Sequence, residues 1–313
     1  MTTIGIFATS SGVLGDESTR YGFLKKCGYK IIEHPQVRLN NGHTAGSIQD
    51  RIQALYELLE NDKVDILMAY WGGANTNQIL PYLDYKKFKK YNKPIVGFSD
   101  TSALLLAVNK LSNIKTYMGP CGITFDKKNK FKYSLNYFEK IVVNKEPEVI
   151  VKDSSQYVDD LFYINGDVKS LQKQKSKGRQ IYKHGICEGK VIASNLQTLM
   201  VLAGTRFFPN LNNKVLFIEE DEMATTSMIH RFFTHLSQVL DLNILKGILI
   251  GRFSKNSGFN KKDKETFIYD DVFSSLNIPI IYNLDFGHTD PLFTIALGGN
   301  VYVNTYENII KFY

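Results

Sequence analysis

The sequence predicts an α/β protein whose first half is a doubly wound parallel sheet and whose second half opens a further domain. Three observations predict it. Short apolar runs alternate with amphipathic segments over the first 125 residues, the pattern of parallel strands covered by helices. Residues 126 to 185 then turn polar and lysine-rich, which reads as a linker followed by short strands and surface loops. From 186 onward strands and helices alternate again.

Taken in order, Ile4 to Ala8 reads as a buried strand. The loop Thr9, Ser10, Ser11, Gly12 follows its carboxyl end, where open α/β sheets bind ligands. Residues 16 to 27 read as a helix and Tyr29 to His34 as a second strand. Ser47 stands as an N-cap with Asp50 three residues on, and Ile48, Ile52, Leu55 and Leu58/Leu59 form one apolar stripe. Val64 to Tyr70 is an apolar strand running into Gly72–Gly73, a pair that serves either a tight turn or the close approach of backbone to a ligand. Pro94, Ile95 and Val96 make a short buried strand, Gly97 allows a sharp turn, and Thr101 to Leu111 reads as a helix. Ile114 to Tyr117 and Gly119–Pro120 close this unit. In the second half, KVLFIEEDE is a buried strand ending in carboxylates and TTSMIHRFFTHLSQVL a helix. IPIIYNLDFGHTDP is a strand and loop, and the last residues read as a hairpin turning at Gly298–Gly299–Asn300.

Composition excludes several function classes. The chain has 313 residues, 43% hydrophobic and 22% charged, enough apolar material for a sizeable core. The net charge is +7 with a pI near 9.0, yet the lysines are scattered in short runs that read as solvated faces rather than a nucleic-acid surface. Three cysteines, Cys27, Cys121 and Cys187, are too few and too irregular for a disulfide framework or zinc site and fit a reducing compartment. No basic leader precedes the first apolar stretch and no apolar run spans a membrane, so the expectation is a cytoplasmic protein. GxGxxG and GxxxxGK[ST] patterns are missing, so no nucleotide cofactor is indicated, and no metal has a ligand set.

Strand, tight turn and helix place Ser99 at the mouth of the sheet beside helix N-terminal N–H groups, the geometry of a nucleophile elbow. The other reading is that Ser99 caps the helix. Serine acyl transfer also needs a base, a carboxylate to orient it, and oxyanion donors. Of six histidines, His230 and His235 fall within a helix, His34 and His43 flank a loop, and His184 lies in the polar stretch. His288, in FGHTDP directly after a strand, is the best-placed base. Glu219 ends an apolar strand, where an unpaired carboxylate is costly. Pleating puts Glu219 and Glu220 on opposite faces, so only one faces His288, and Glu219 is favoured. Glu222 is a candidate for substrate contact, against the plain reading of an acidic solvated turn.

The motifs GGANTNQILPYLDY, GFSDTSALL, YMGPCG, LFIEEDE and FGHTDP occur in this order. Together they resemble the LD-carboxypeptidase family of serine peptidases, which includes the microcin C self-immunity proteins. The resemblance implies a Rossmann- or flavodoxin-like N-terminal domain carrying the nucleophile, placed at 1–150, and a C-terminal α/β domain with a small β-structure, placed at 151–313. It implies a Ser99–Glu219–His288 triad, an oxyanion hole from the N–H groups of Gly73 and Asp100, Asn75 as a substrate-binding candidate, no cofactor and a homodimer. HTAGSIQDRI resembles the family's AGS-x-x-x-R segment. Ala193–Ser194 before Asn195 departs from the family's Gly-Gly, and the 168–185 region lacks a tryptophan common in the family. The asparagine of GGANTN favours the microcin-immunity branch, and so cleavage of an amide in a small peptide or aminoacyl-nucleotide. The alternatives are release of terminal D-alanine from a muropeptide, a non-catalytic small-ligand binder, and a dinucleotide-binding oxidoreductase.

Overall fold

A computed structural model describes residues 1–13, 21–126, 132–159 and 172–313. The first sheet contains β1 (Thr3–Phe7), β2 (Lys30–Glu33), β3 (Ile66–Ala69), β4 (Ile95–Gly97) and β5 (Thr116–Met118), parallel and ordered β2-β1-β3-β4-β5. These strands are apolar in sequence because helices cover both faces, so β1, β3, β4 and β5 are buried throughout. The order reverses between β1 and β3, and the loops after those strands are where a doubly wound sheet opens a crevice. The helix Ile48–Glu60 starts at a capping box: Ser47 accepts from Asp50 N–H while the Asp50 carboxylate accepts from Ser47 N–H. Its buried face carries Ile52, Leu55, Leu58 and Leu59, and also Arg51. The helix expected over 16–27 is described as Gly22–Lys26; residues 16 to 20 lie outside the described residues.

The later strands are β6 (Val149–Ile150), β7 (Gln156–Tyr157), β8 (Gln174–Lys175), β9 (Gln180–Lys183), β10 (Ile186–Asn195) and β11 (Lys214–Glu219), then β12 (Gly247–Gly251), β13 (Ile280–Leu284), β14 (Ile295–Leu297), β15 (Asn300–Asn304) and β16 (Ile309–Phe312). Eight of them form the second sheet, ordered β6-β16-β15-β10-β11-β12-β13-β9. Its centre, β10 to β13, is parallel, and its outer pairings are antiparallel.

Two strands cross the division at residue 150. β6 pairs with β16 in the second sheet, and β14 pairs antiparallel with β5 in the first. This overturns the expected hairpin at Gly298–Gly299–Asn300. The strands on either side of those glycines belong to different sheets, and the terminal hairpin joins β15 to β16. Gly298, at φ 76°, supplies the bend that carries the chain from one sheet to the other.

Candidate active site

β4 delivers the elbow. Phe98 is extended, and Ser99 follows at φ 58°, a left-handed conformation that a non-glycine residue holds only under constraint. A 3-10 turn, Ser99–Thr101, passes into the helix Ser102–Ser112. The N-cap positions of turn and helix belong to Phe98 and Thr101, so Ser99 is not the cap residue.

The loop after β3 passes directly over this serine. A Cβ on Gly72 would stand 2.8 Å from Ser99 Oγ, and Gly73 has φ 134°, so only glycine fits this pair comfortably. Neighbouring groups fix the loop. Ser10 Oγ accepts from the N–H groups of Ala74 (3.0 Å) and Asn75 (2.9 Å), and the Asp100 carboxylate accepts from Thr76 N–H at 2.8 Å. Buried Arg51 donates to the carbonyls of Thr9 (2.9 Å) and Asn75 (3.2 Å) and to Gln78 Oε1 (2.8 Å). Burial pushes the Asp100 carboxyl up, against the donors from Thr76, Ser10 and Asn75. The loop after β1, expected to meet a ligand, thus spends its Ser10 hydroxyl on the neighbouring loop.

The second sheet delivers the other half. Glu219 ends β11, and His288 lies four residues beyond β13. His288 Nδ1 and Glu219 Oε2 are 2.7 Å apart, both side chains almost wholly buried. An ionised carboxylate only accepts, so Nδ1 carries the proton and Nε2 is left for another partner. Gly287 makes the approach possible: at φ 99°, its Cβ would lie 2.5 Å from Glu219 Oε2 and 2.8 Å from Glu219 Cβ. Gly287→Ala is therefore expected to cost about 1–3 kcal/mol of stability and to drive the carboxylate off the imidazole. Denaturant titration and turnover of the same variant check this; unchanged turnover counts against it.

Glu220 faces the opposite side, as pleating requires. It accepts from Asn195 Nδ2 (2.8 Å) and Gln197 N–H (3.1 Å), and burial pushes its carboxyl up to about 7. Asn195 in turn caps the helix Leu196–Val201 through Thr198 N–H, so Ala193–Ser194 leaves these ties intact. The solvated-turn reading fails for Glu220 and Glu222, which are 0% and 7% exposed. The other histidines lie elsewhere. His34 pairs with Glu57, His184 with Thr305 and His230 with Asp271, while His43 and His235 are exposed.

Ser99, His288, Gly73 and Glu222 line one cleft of about 380 Å³. Asn75 does not line it; its backbone is engaged by Ser10 and Arg51. Trp71, Phe98, Ile123 and Met223 do line it, and sequence reasoning passed over all four. The available signal was position: Phe98 comes directly after β4 and Trp71 two residues after β3, beside the residues singled out. The Phe98 and His288 rings are 5.1 Å apart, edge to face, which ties the elbow to the histidine loop.

The imidazole is strongly perturbed. Burial alone pulls the imidazolium pKa down; the charge and hydrogen bond of Glu219, then the charges of Glu222 and Asp221, outweigh it and raise the pKa. The stabilisation from this pair is complete below the ordinary value of 6.5 and is lost as pH climbs through the raised one. Only the neutral ring accepts a proton, so the acidic limb of kcat/KM is expected above 6.5. Glu222→Gln should move that limb down. A pH–rate profile with its limb below that of free imidazole contradicts the assignment.

Comparison with known proteins identifies the family. Residues 4–119 match the LD-carboxypeptidase N-terminal domain and residues 188–303 the LD-carboxypeptidase C-terminal domain. YocD of Bacillus subtilis, a carboxypeptidase by name, is 32% identical over 93% of this chain and 89% of its own. The microcin C7 self-immunity protein MccF of Escherichia coli is 28% identical over 95% of this chain and 88% of its own. Solved MccF complexes hold aspartyl sulfamoyl adenosine and glutamyl sulfamoyl guanosine, superposing with TM-scores of 0.90 and 0.91 over 99% of this chain and 95% of theirs at 26% identity. An MccF-like protein of Bacillus anthracis superposes with a TM-score of 0.92 at 28% identity, over 99% of this chain and 96% of its own. With both domains matched in sequence and the two-domain α/β architecture shared, the chain belongs to the LD-carboxypeptidase family of peptidases.

Proposed function

We propose that the protein cleaves an amide bond by serine acyl transfer, with Ser99 as nucleophile, His288 as general base and Glu219 as the carboxylate that orients it. The observation that carries this is the 2.7 Å Glu219–His288 bond, set in the same cleft as a serine held at φ 58°. Ser99 Oγ attacks the carbonyl carbon while His288 Nε2 takes its proton. The N–H groups of Gly73 and Asp100 receive the oxyanion; Asp100 is at the second position of a helical turn, where an N–H has no intrahelical partner. The tetrahedral intermediate collapses, His288 returns the proton to the leaving amine, and water then hydrolyses the acyl-enzyme by the reverse assistance. The 1–150 unit supplies the nucleophile and the 151–313 unit the base and carboxylate.

The substrate we favour is a small peptide or a peptidyl or aminoacyl nucleotide, since MccF, a relative matched over nearly the whole chain, binds aminoacyl sulfamoyl nucleosides. The second reading, release of terminal D-alanine from a muropeptide, draws on the family name and the carboxypeptidase relatives. The resemblance also carries the expectation of a homodimer in the cytoplasm, which sedimentation and cell fractionation test. Among the described residues no helix is long and apolar enough to cross a membrane. A fluorophosphonate probe tests the mechanism: mass spectrometry should find the adduct on Ser99, and a protein left unlabelled is a ligand binder instead.

A further inference from the structure

The net charge of +7 would suit an acidic substrate, but the cleft itself has the opposite character. Among the described residues that line it there is no lysine or arginine, whereas Asp221, Glu222 and Asp290 all do. Glu222 stands out among them. It is 7% exposed, and its Oε2 is buried without a hydrogen-bond donor from the protein. A buried carboxylate oxygen left without a donor is costly, so a site that keeps one is completed by a donor arriving with the ligand. A cationic amino group matches that need best, because charge-assisted bonds to a carboxylate are the strong ones. The remaining surface is apolar: Trp71, Phe98, Ile123 and the exposed Met223.

Solved relatives make the contrast sharper. MccF binds aspartyl and glutamyl nucleosides, and one solved MccF form is an active-site mutant with a serine, an asparagine and a lysine changed. An acidic side chain entering the cleft of the present chain would meet carboxylates and no described basic partner.

We infer that this cleft selects an amide substrate whose acyl side carries a free ammonium and a neutral or apolar side chain, with Glu222 receiving the ammonium and Asp221 disfavouring acidic side chains. The inference rests on the reading of the cleft as the amide-cleaving site and adds its specificity. Like charges brought together in a partly desolvated cleft oppose binding, and the apolar wall rewards an aliphatic side chain.

Calorimetry on the full-length Ser99→Ala chain tests it with two probes that differ only in side chain, leucyl and aspartyl sulfamoyl adenosine. Leucyl is expected to bind at least about tenfold more tightly. Glu222→Gln on the same background should weaken both about tenfold, since both carry the ammonium, and leave unchanged the binding of 4-methylpentanoyl sulfamoyl adenosine, the leucyl probe without its amino group. A merely structural role for Glu222 would weaken the probe without the amino group to the same extent. Aspartyl binding equal to or tighter than leucyl, equal weakening of the probe without the amino group, or binding of neither probe overturns the inference. Fluorophosphonate labelling of the wild-type chain separates the two levels. Labelled Ser99 without selectivity overturns the specificity alone, and unlabelled Ser99 overturns the hydrolase reading beneath it.

Discussion

Replacing Ser99 by alanine is expected to lower amide hydrolysis by about four to six orders of magnitude while leaving the unfolding midpoint in place. The large loss follows from the proposed role: removing the hydroxyl removes the covalent route, leaving what binding and the oxyanion donors do unaided. The unchanged stability follows from the backbone. Alanine keeps the Cβ, so the strain of φ 58° is the same in both proteins, and the elbow is held from outside by Asp100, Thr76 and Ser10. Single-turnover hydrolysis and urea unfolding of the same preparation read both numbers. Activity within tenfold of the parent would remove Ser99 from the reaction.

Glu219→Gln should be nearly as severe, about three to four orders of magnitude in kcat. Its carboxylate receives the Nδ1 proton of His288 at 2.7 Å. An amide nitrogen turned toward Nδ1 donates instead, which moves the ring proton to Nε2, the atom that must accept from serine. Loss of the Glu219 charge also removes the main influence raising the imidazole pKa, so residual activity should show its acidic limb shifted downward. Glu220→Gln makes the informative contrast. Glu220 binds Asn195 and Gln197 on the other face of the strand, and its carboxyl is already pushed up to about 7. Neutralising it should leave kcat within about threefold, because the structure there already accommodates the protonated acid. Equal losses for the two glutamates would show that strand pleating does not separate their roles.

The parts of this protein legible in its sequence are those whose cause is local. Alternating apolar runs and amphipathic segments disclosed the first sheet, because strands covered on both faces must be apolar throughout. Ile95 to Asp100 offered either an elbow or a helix cap at Ser99, since a short strand, a glycine and a helix start serve both. The two-residue period of a strand sets Glu219 and Glu220 on opposite faces, and the choice of Glu219 rests on its place at the end of the apolar run and on the family resemblance. What escaped was decided at a distance. Ile295–Leu297 looks like the first arm of a hairpin, and nothing in its own residues says that it pairs with β5, nearly two hundred positions earlier. Arg51 lies in a stripe of leucines and isoleucines, but its burial depends on three acceptors from other loops. Only the resemblance of HTAGSIQDRI to a family segment drew attention there. Ser10 was assigned to a ligand-facing loop, yet the nearer demand came from Ala74 and Asn75.

The excursion of β14 into the first sheet has a consequence for how the protein comes to life. The loop bearing His288 is anchored at one end by β13 and at the other by a strand stitched to β5. During synthesis Ser99 emerges early, and β5 keeps an unpaired edge until Ile295–Leu297 has been made. Glu219 follows about a hundred residues after β5, and His288 is held at both ends only once β14 has closed the β5 edge.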